Sequence, residues 1–485
     1  MTPAEVAVLT LYYLVLGALG VYSLHRFYLV RLRRRTPEPP HVTREEFPPL
    51  TIQLPLYNEP NVAARLLDAV AAIEYRGALD IQVLDDSTDD TPRIVGERVA
   101  AMRARGIAVE HIRRPLREGY KAGALAHGLS RSSSELFAVF DADFVPPPDV
   151  LLRMVPHFAD PGVGMVQARW THLNRERSML TRVQAIFLDA HFAVESAARN
   201  FAGRFFNFNG TAGVWRRAAI EEAGGWSAST LTEDLDLSYR AQLVGWRFLF
   251  LPDVEVAAEL PAALSGFQEQ QHRWAKGSIQ TARKVLPAIA RSGLRGAVKS
   301  EAAFHLTNNS AYLLSVLLAL LIVPAMVIRH RHELLWSFVI DLVLYAMSTG
   351  SVLLFYVEGQ RRAGRARPPL RELLAVLPVG VGMSIRNASA VLEGLFESGG
   401  YFRRTPKEGD EGGRASRPPW ADETSAPRIP WGESVLAVFF CCVMVAFGGT
   451  RQWLSVPFLM IFASGYGYVA VMALRERLNF FKSMT

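Results

Sequence analysis

Apolar runs long enough to cross a bilayer constrain this chain more than any other feature, because about 20 consecutive apolar residues have few stable surroundings except a membrane. Such runs occupy roughly 5–30, 304–328 and 334–357, and a longer one at 432–473 divides into two short spans, so five spans are expected. Half of the 485 residues are apolar, which is high for an average soluble protein and low for a pure membrane bundle. A water-exposed domain joined to membrane helices fits that balance. From about 37 to 300 no run is long and apolar enough to cross.

Orientation follows from the arginines. Arg31, Arg33, Arg34 and Arg35 close the first run, and Arg361, Arg362, Arg365 and Arg367 follow the third. Positive residues favour the cytoplasmic side, so the 37–300 stretch is expected in the cytoplasm and the N-terminal tail outside, in an inner or plasma membrane. The first run lacks a basic region before it and reads as an uncleaved anchor. A formal charge of +7, with arginine gathered at membrane flanks, speaks for membrane lipids and against nucleic acid as partner. Cys441 and Cys442 are adjacent in an apolar run, where neither a disulfide framework nor a zinc site is expected. The apolar piece 373–385 contains Pro378 and runs on into Arg386 and Asn387, which reads as an interfacial helix. Five regions result: an anchor at 1–36, a cytoplasmic domain at 37–300, a hairpin at 301–358, an interfacial helix and basic loop at 359–431, and a second hairpin with a cytoplasmic tail at 432–485.

Inside the cytoplasmic domain, short runs rich in β-formers (50–56, 79–84, 108–112, 136–140, 163–168) alternate with helical patterns (61–73, 91–103, 121–129). That alternation predicts an α/β fold with a mainly parallel sheet, whose ligands collect at the carboxyl ends of the strands. The residues found there are acidic: Asp85-Asp86 after one strand and Asp141-Ala142-Asp143 after another, followed later by Thr232-Glu233-Asp234. Asp85-Asp86 also reads as an Asx-turn leading into a helix cap. Asp141 and Asp143 follow a wholly apolar strand and aim toward one end of it, where hard oxygen ligands suit Mg2+ or Mn2+. Further along, Gln270, Arg273 and Trp274 fall within one helical turn and form a single patch. A long amphipathic pattern at 179–200 suits either a membrane surface or a core.

The ordered set Asp85-Asp86, Asp141-x-Asp143, Thr232-Glu233-Asp234 and Gln270-x-x-Arg273-Trp274, followed by membrane hairpins, resembles the membrane-bound family 2 glycosyltransferases, the cellulose and hyaluronan synthases and their relatives. Its flanking text, Asn207-Phe-Asn-Gly-Thr-Ala-Gly-Val-Trp-Arg216 and Thr232-Glu-Asp-Leu-Asp-Leu-Ser-Tyr-Arg240, is similar to the cellulose synthase-like A and C proteins and bacterial counterparts, makers of β-1,4 mannan or glucan. The resemblance implies a GT-A catalytic domain, an inverting and processive hexosyl transfer from UDP-glucose or GDP-mannose, and extrusion of the polysaccharide. Transfer to a lipid acceptor, as in ceramide glucosyltransferases, is the rival within enzymes, and a non-catalytic scaffold or transporter the rival outside them. Residue by residue, it implies Asp85 or Asp86 on the base or ribose, Lys121 near the diphosphate, Asp141 on the nucleotide beside the metal, and Asp143 on the metal. It places Asp234 as general base and Gln270 and Arg273 at the diphosphate. Trp274, Asn209, Gly210, Thr211 and Glu233 fall on the acceptor side, although cellulose synthases carry cysteine near the place of Asn209. Phe402-x-x-Thr405-x-Lys407 resembles the gating-loop pattern. The cyclic-di-GMP-binding domain of bacterial cellulose synthases has no counterpart after the last run, so regulation by that nucleotide in cis is not expected.

Overall fold

The computed structural model describes residues 1–38, 40, 43, 45–334, 337–365, 368–400, 407, 409, 428–448 and 456–484. The residues between 50 and 258 are built on one sheet of eight strands: β1 (Leu50–Leu56), β2 (Leu79–Asp85), β3 (Val109–Ile112), β4 (Leu136–Val139), β5 (Phe144–Val145), β6 (Val163–His172), β7 (Gly213–Arg216) and β8 (Arg247–Ala258). The order across the sheet is β3-β2-β1-β4-β7-β6-β8-β5. Strands β3, β2, β1 and β4 run parallel, as do β6 and β8, while β7 is antiparallel to both its neighbours and β5 to β8. The sheet is therefore mixed, with four parallel pairings against three antiparallel. The sequence shows the parallel part because those strands are buried on both faces and read as unbroken apolar runs.

Helices cover both faces. Leu54, Val83 and Phe140 pack with Leu66 and Val95 on one side, and Leu125, Phe208, Trp215 and Phe250 form a second core on the other. The amphipathic stretch becomes Met179–Ala190, a π-helical turn His191–Ser196, and Ala197–Phe201. It is core and not a membrane-surface helix. Leu180, Val183 and Ile186 pack against Leu264, Val376, Val379 and Val469, and Ala190, Val194 and Ala198 against Leu29, Val30 and Phe355.

Among the described residues, four helices are long and apolar enough to cross a membrane: Pro3–Arg35, Ser310–Arg331, Phe338–Arg362 and Val456–Lys482. The remaining expected span, Trp431–Gly448, is a shorter apolar helix packed in the same bundle through Phe440 and Val443. The 373–385 piece belongs to two helices, Leu370–Gly382 and Ser384–Phe396, that meet at 47° and are jointly apolar enough for one bent span. Deep in the bundle Asp341 is not alone, because Arg329 pairs with it at 2.5 Å. Buried carboxylates tie the two halves together: Asp189 meets Arg175 at 3.0 Å and Gln360 at 2.8 Å, and Glu301 meets His25 at 2.9 Å.

Candidate active site

The strand ends converge as the parallel topology requires. Asp141 follows β4, and its N–H donates to Thr211 Oγ1 at 2.9 Å, which stitches it to the loop before β7. Its Oδ1 accepts from Lys121 Nζ at 2.5 Å, and the same ammonium donates to Gly210 O at 2.8 Å. Lys121 is delivered by the first turn of Tyr120–Ser130, entered through left-handed backbone at Gly119. Gly210, with φ of +84°, admits no side chain: a Cβ there would lie 3.0 Å from Asp234 Oδ2 and 3.5 Å from Lys121 Nζ. Asp234 stands at the start of helix Glu233–Leu243, where its Oδ1 accepts from Leu235 N at 2.8 Å.

These residues border a cleft of about 200 Å³ lined also by Asp86, Asp143, Glu233, Gln270, Arg273 and Trp274. Gln270, Arg273 and Trp274 sit on the long helix Leu264–Arg291 and reach the cleft as one patch. Burial, then the charge of Glu233, pushes the Asp234 carboxyl up to about 7. Burial also raises Asp141 despite the Lys121 ammonium beside it. Lys121 is held charged because Asp141, Glu233 and Asp234 outweigh its burial. The cleft is short of positive charge, and it faces Asp141 and Asp143 together. Two carboxylates of that kind fit a divalent cation that takes its other ligands from a diphosphate and water. Among the described residues no group of three or more His, Cys, Asp or Glu side chains is arranged to hold a metal.

Several expected residues lie elsewhere than the resemblance implied. Asp85 is buried under the cleft and does not line it; its Oδ1 accepts from Ser87 N at 2.9 Å and its Oδ2 meets His111 at 2.8 Å, the Asx-turn arrangement. Asp86 does line it, gripped by both arms of Arg114 at 3.0 and 2.5 Å. Thr211 is buried and lines neither the cleft nor the larger cavity described below, its Oγ1 accepting from Asp141 N. Glu233 lines the cleft and not that larger cavity. Lys407 comes into the cleft, its Nζ 2.6 Å from Asp143 Oδ2 and donating to Glu259 O at 2.9 Å. Phe402 and Thr405 lie outside the described residues.

Not anticipated from sequence were Tyr57 and Arg117, stacked at 3.3 Å in the cleft wall, nor Trp170 and Glu59. The run Arg113-Arg114-Pro-Leu-Arg117 just after β3 was the available signal for the arginines, since it too follows a strand end. Asn209, Thr232, Asp234, Gln270, Trp274 and Trp170 also line a second, larger cavity of about 450 Å³ that continues between the apolar helices past Tyr312, Ser348 and Gly380 to Phe458.

The mixed sheet with this strand order, and the cleft bordered by paired strand-end carboxylates, have the arrangement of the GT-A fold. Residues 48–277 match the family described as glycosyltransferase like family 2. The chain is 43% identical over 265 residues to glucomannan 4-beta-mannosyltransferase 2 of Arabidopsis thaliana, covering 53% of this chain and 50% of that protein. It is also 43% identical over 264 residues to glucomannan 4-beta-mannosyltransferase 1 of Oryza sativa subsp. japonica, at 52% and 50% coverage. The chain thus spans about half the length of the curated relatives it matches. Among solved structures, the mannosyltransferase PcManGT from Pyrobaculum calidifontis, in complex with GDP-Man and Mn2+, shares the fold with a TM-score of 0.55 at 19% identity, over 80% of this chain and 99% of that one.

Proposed function

We propose that the protein is a membrane-embedded, inverting β-mannosyltransferase that takes mannose from GDP-mannose, adds it to the 4-hydroxyl of a β-1,4-linked glycan, and feeds the product outward between its own helices, with the catalytic domain on the cytoplasmic side. One observation carries this reading: the donor cleft and the cavity between the apolar helices share Asp234, Asn209 and Trp274 as walls, so a sugar added in one is already at the mouth of the other. The choice of mannose is supported by the 43% identity to the glucomannan 4-beta-mannosyltransferases.

In this scheme the acceptor hydroxyl gives its proton to Asp234 as its oxygen attacks the anomeric carbon. The bond from that carbon to the diphosphate oxygen breaks on the opposite face, which inverts the configuration. Lys121 and Arg273 balance the charge that grows on the departing diphosphate. A Mg2+ or Mn2+ ion held by Asp141 and Asp143, when bound, adds further positive charge there. Lys407 sits on Asp143, its Nζ 2.6 Å from Oδ2.

Membranes carrying the protein are incubated with radiolabelled GDP-mannose or UDP-glucose, with and without EDTA, and the products digested with endo-β-1,4-mannanase or cellulase. Label from GDP-mannose in mannanase-sensitive polymer, lost with EDTA and restored by Mn2+, is expected. Incorporation from UDP-glucose alone, or turnover that EDTA leaves intact, refutes the donor or the metal respectively.

A further inference from the structure

His191 belongs to none of the motifs and opens the π-helical turn His191–Ser196 between two α-helical segments. Such turns are rare and often mark functional positions, because the extra residue re-aims the side chains around it. Here the turn brings His191 to the wall of the large cavity with both ring nitrogens engaged: Nδ1 lies 3.0 Å from Glu195 Oε2 and Nε2 2.9 Å from Asn209 Oδ1. Glu195 is itself fixed from behind. Arg199 reaches it at 3.5 Å and meets Glu301 Oε1 at 2.9 Å, and the other oxygen of Glu301 meets His25 at 2.9 Å. Burial works to raise the Glu195 carboxyl, but Arg199 and His191 outweigh it and hold it well below the usual carboxylate range. The amide oxygen of Asn209 is an acceptor, so the ring meets it as a donor from Nε2 while Nδ1 faces Glu195.

The consequence falls on Asn209. Its Oδ1 also accepts from Asn207 Nδ2 at 3.1 Å, and its backbone N–H donates to Gln167 Oε1 at 3.0 Å, so the side-chain amide has one orientation. Among the described residues the amide nitrogen has a single acceptor, Asn207 O at 3.4 Å, which leaves an N–H to offer into the cavity. That N–H stands one residue from Gly210, where a Cβ would lie 3.0 Å from Asp234 Oδ2. An acceptor sugar whose hydroxyl meets Asp234 therefore passes Asn209.

We propose that His191, clamped between Glu195 and Asn209, is a positioning residue for the acceptor: it turns the N–H edge of the Asn209 amide toward the ring and hydroxyl oxygens of the β-linked hexose at the growing end of the glycan. The proposal rests on the mannosyl transfer to glycan inferred above. The purified full-length chain is assayed with GDP-mannose and Mn2+ as donor and a β-1,4-manno-oligosaccharide as acceptor, and the two KM values are measured separately. His191→Leu removes both bonds and is expected to raise the acceptor KM about tenfold while the donor KM stays within about twofold. His191→Gln, which still donates toward Asn209, is expected to recover most of that loss. An unchanged acceptor KM in the leucine variant overturns the proposal, and so does a parallel rise in both KM values with no recovery by glutamine, the mark of a structural defect. Should the leucine variant not fold, Asn209→Asp keeps the oxygen facing His191 and removes the N–H. Its acceptor KM is then expected to rise about tenfold, and an unchanged value overturns the proposal equally. A wild-type protein that transfers no mannose to glycan defeats both this proposal and the reading beneath it; wild-type transfer with unaffected variants defeats this one alone.

Discussion

Asp234 shares the cleft with Glu233 and Asp141, and that crowding sets the pH range in which it can take a proton. With its carboxyl pushed up to about 7, first by burial and then by Glu233, it is mostly protonated and idle as a base at pH 6. The rate constant kcat/KM is expected to rise about tenfold per pH unit below 7 and to level above it. Glu233→Gln removes the like charge and should move that limb to lower pH, whereas a limb that stays in place denies Glu233 this role. Stability has the opposite sign. Between the unfolded carboxyl value of 3.8 and about 7 the folded state holds a proton that the unfolded chain has released, so stability from this group is full below the window and is lost as pH rises through it. Asp234→Asn should lower kcat by about 10²–10⁴-fold while leaving GDP affinity unchanged, the range a positioned general base contributes. At this scale the sequence was legible wherever spacing sets direction. Asp141 and Asp143, two apart after a strand, reach the same cleft. Asp85 and Asp86 are adjacent, so extended backbone turns them to opposite sides, and only one of them lines it. Which of the two faces out depends on the phase of β2 against its neighbours, and the phase is a property of the sheet.

The helix Leu264–Arg291 is the element that joins the cleft to the apolar helices. Its first turn is capped from outside, since the amides of Leu264 and Ser265 donate to the carboxylate of Glu476 on the last helix, the second of these at 3.1 Å. Its middle lies directly on the start of helix Glu233–Leu243: a Cβ on Gly277 would stand 2.5 Å from Thr232 Cγ2 and 2.9 Å from Thr232 N. Gly277→Ala gains up to about 1 kcal/mol of helix propensity and loses about 1–3 kcal/mol to overpacking, so the net change in stability is small. The displacement it forces is not small for the chemistry, because it parts Gln270, Arg273 and Trp274 from Asp234. A fall in kcat/KM of at least about tenfold, with melting moved by only a few degrees, is expected; full activity in the variant would show that the close contact has no part in the geometry. This helix was visible in the sequence through its motif, and the parallel strands through their apolar runs. Strands β5, β7 and β8 were not. The first two have two and four residues, and β8 carries Pro252 and slips register against β6 at Ala168/Arg169, so no sustained alternation marks any of them. The antiparallel insertion of β7 depends on long-range pairing with β4 and β6, and no local pattern encodes it.

Taken as a whole, the molecule is two bodies locked at a polar seam. Asp189 is buried against Arg175 and against Gln360 on the helix Phe338–Arg362, with Arg365 3.3 Å away just after that helix, and removing one partner from such a pair leaves a buried charge exposed to no solvent. The seam keeps the mouth of the large cavity in register with Asp234, and a channel is useful to a transferase only if its product enters it at every cycle. That requirement separates repeated addition from single transfer to a lipid. Gly380, on helix Leu370–Gly382, lines the cavity far from the catalytic carboxylates, and a Cβ there meets nothing within 4 Å. Gly380→Phe therefore adds a ring to open space, and replacing glycine inside a helix favours folding. If the glycan threads this cavity, the first few additions proceed and the chain then stalls against the ring. Products sized by gel electrophoresis or mass spectrometry should shorten to a ladder of a few sugars, with GDP still released at the start of the reaction. A single-transfer enzyme gives one product size in both forms. Long polymer from the variant would mean that the product leaves by another route, and the continuity between cleft and cavity would then lose its functional meaning.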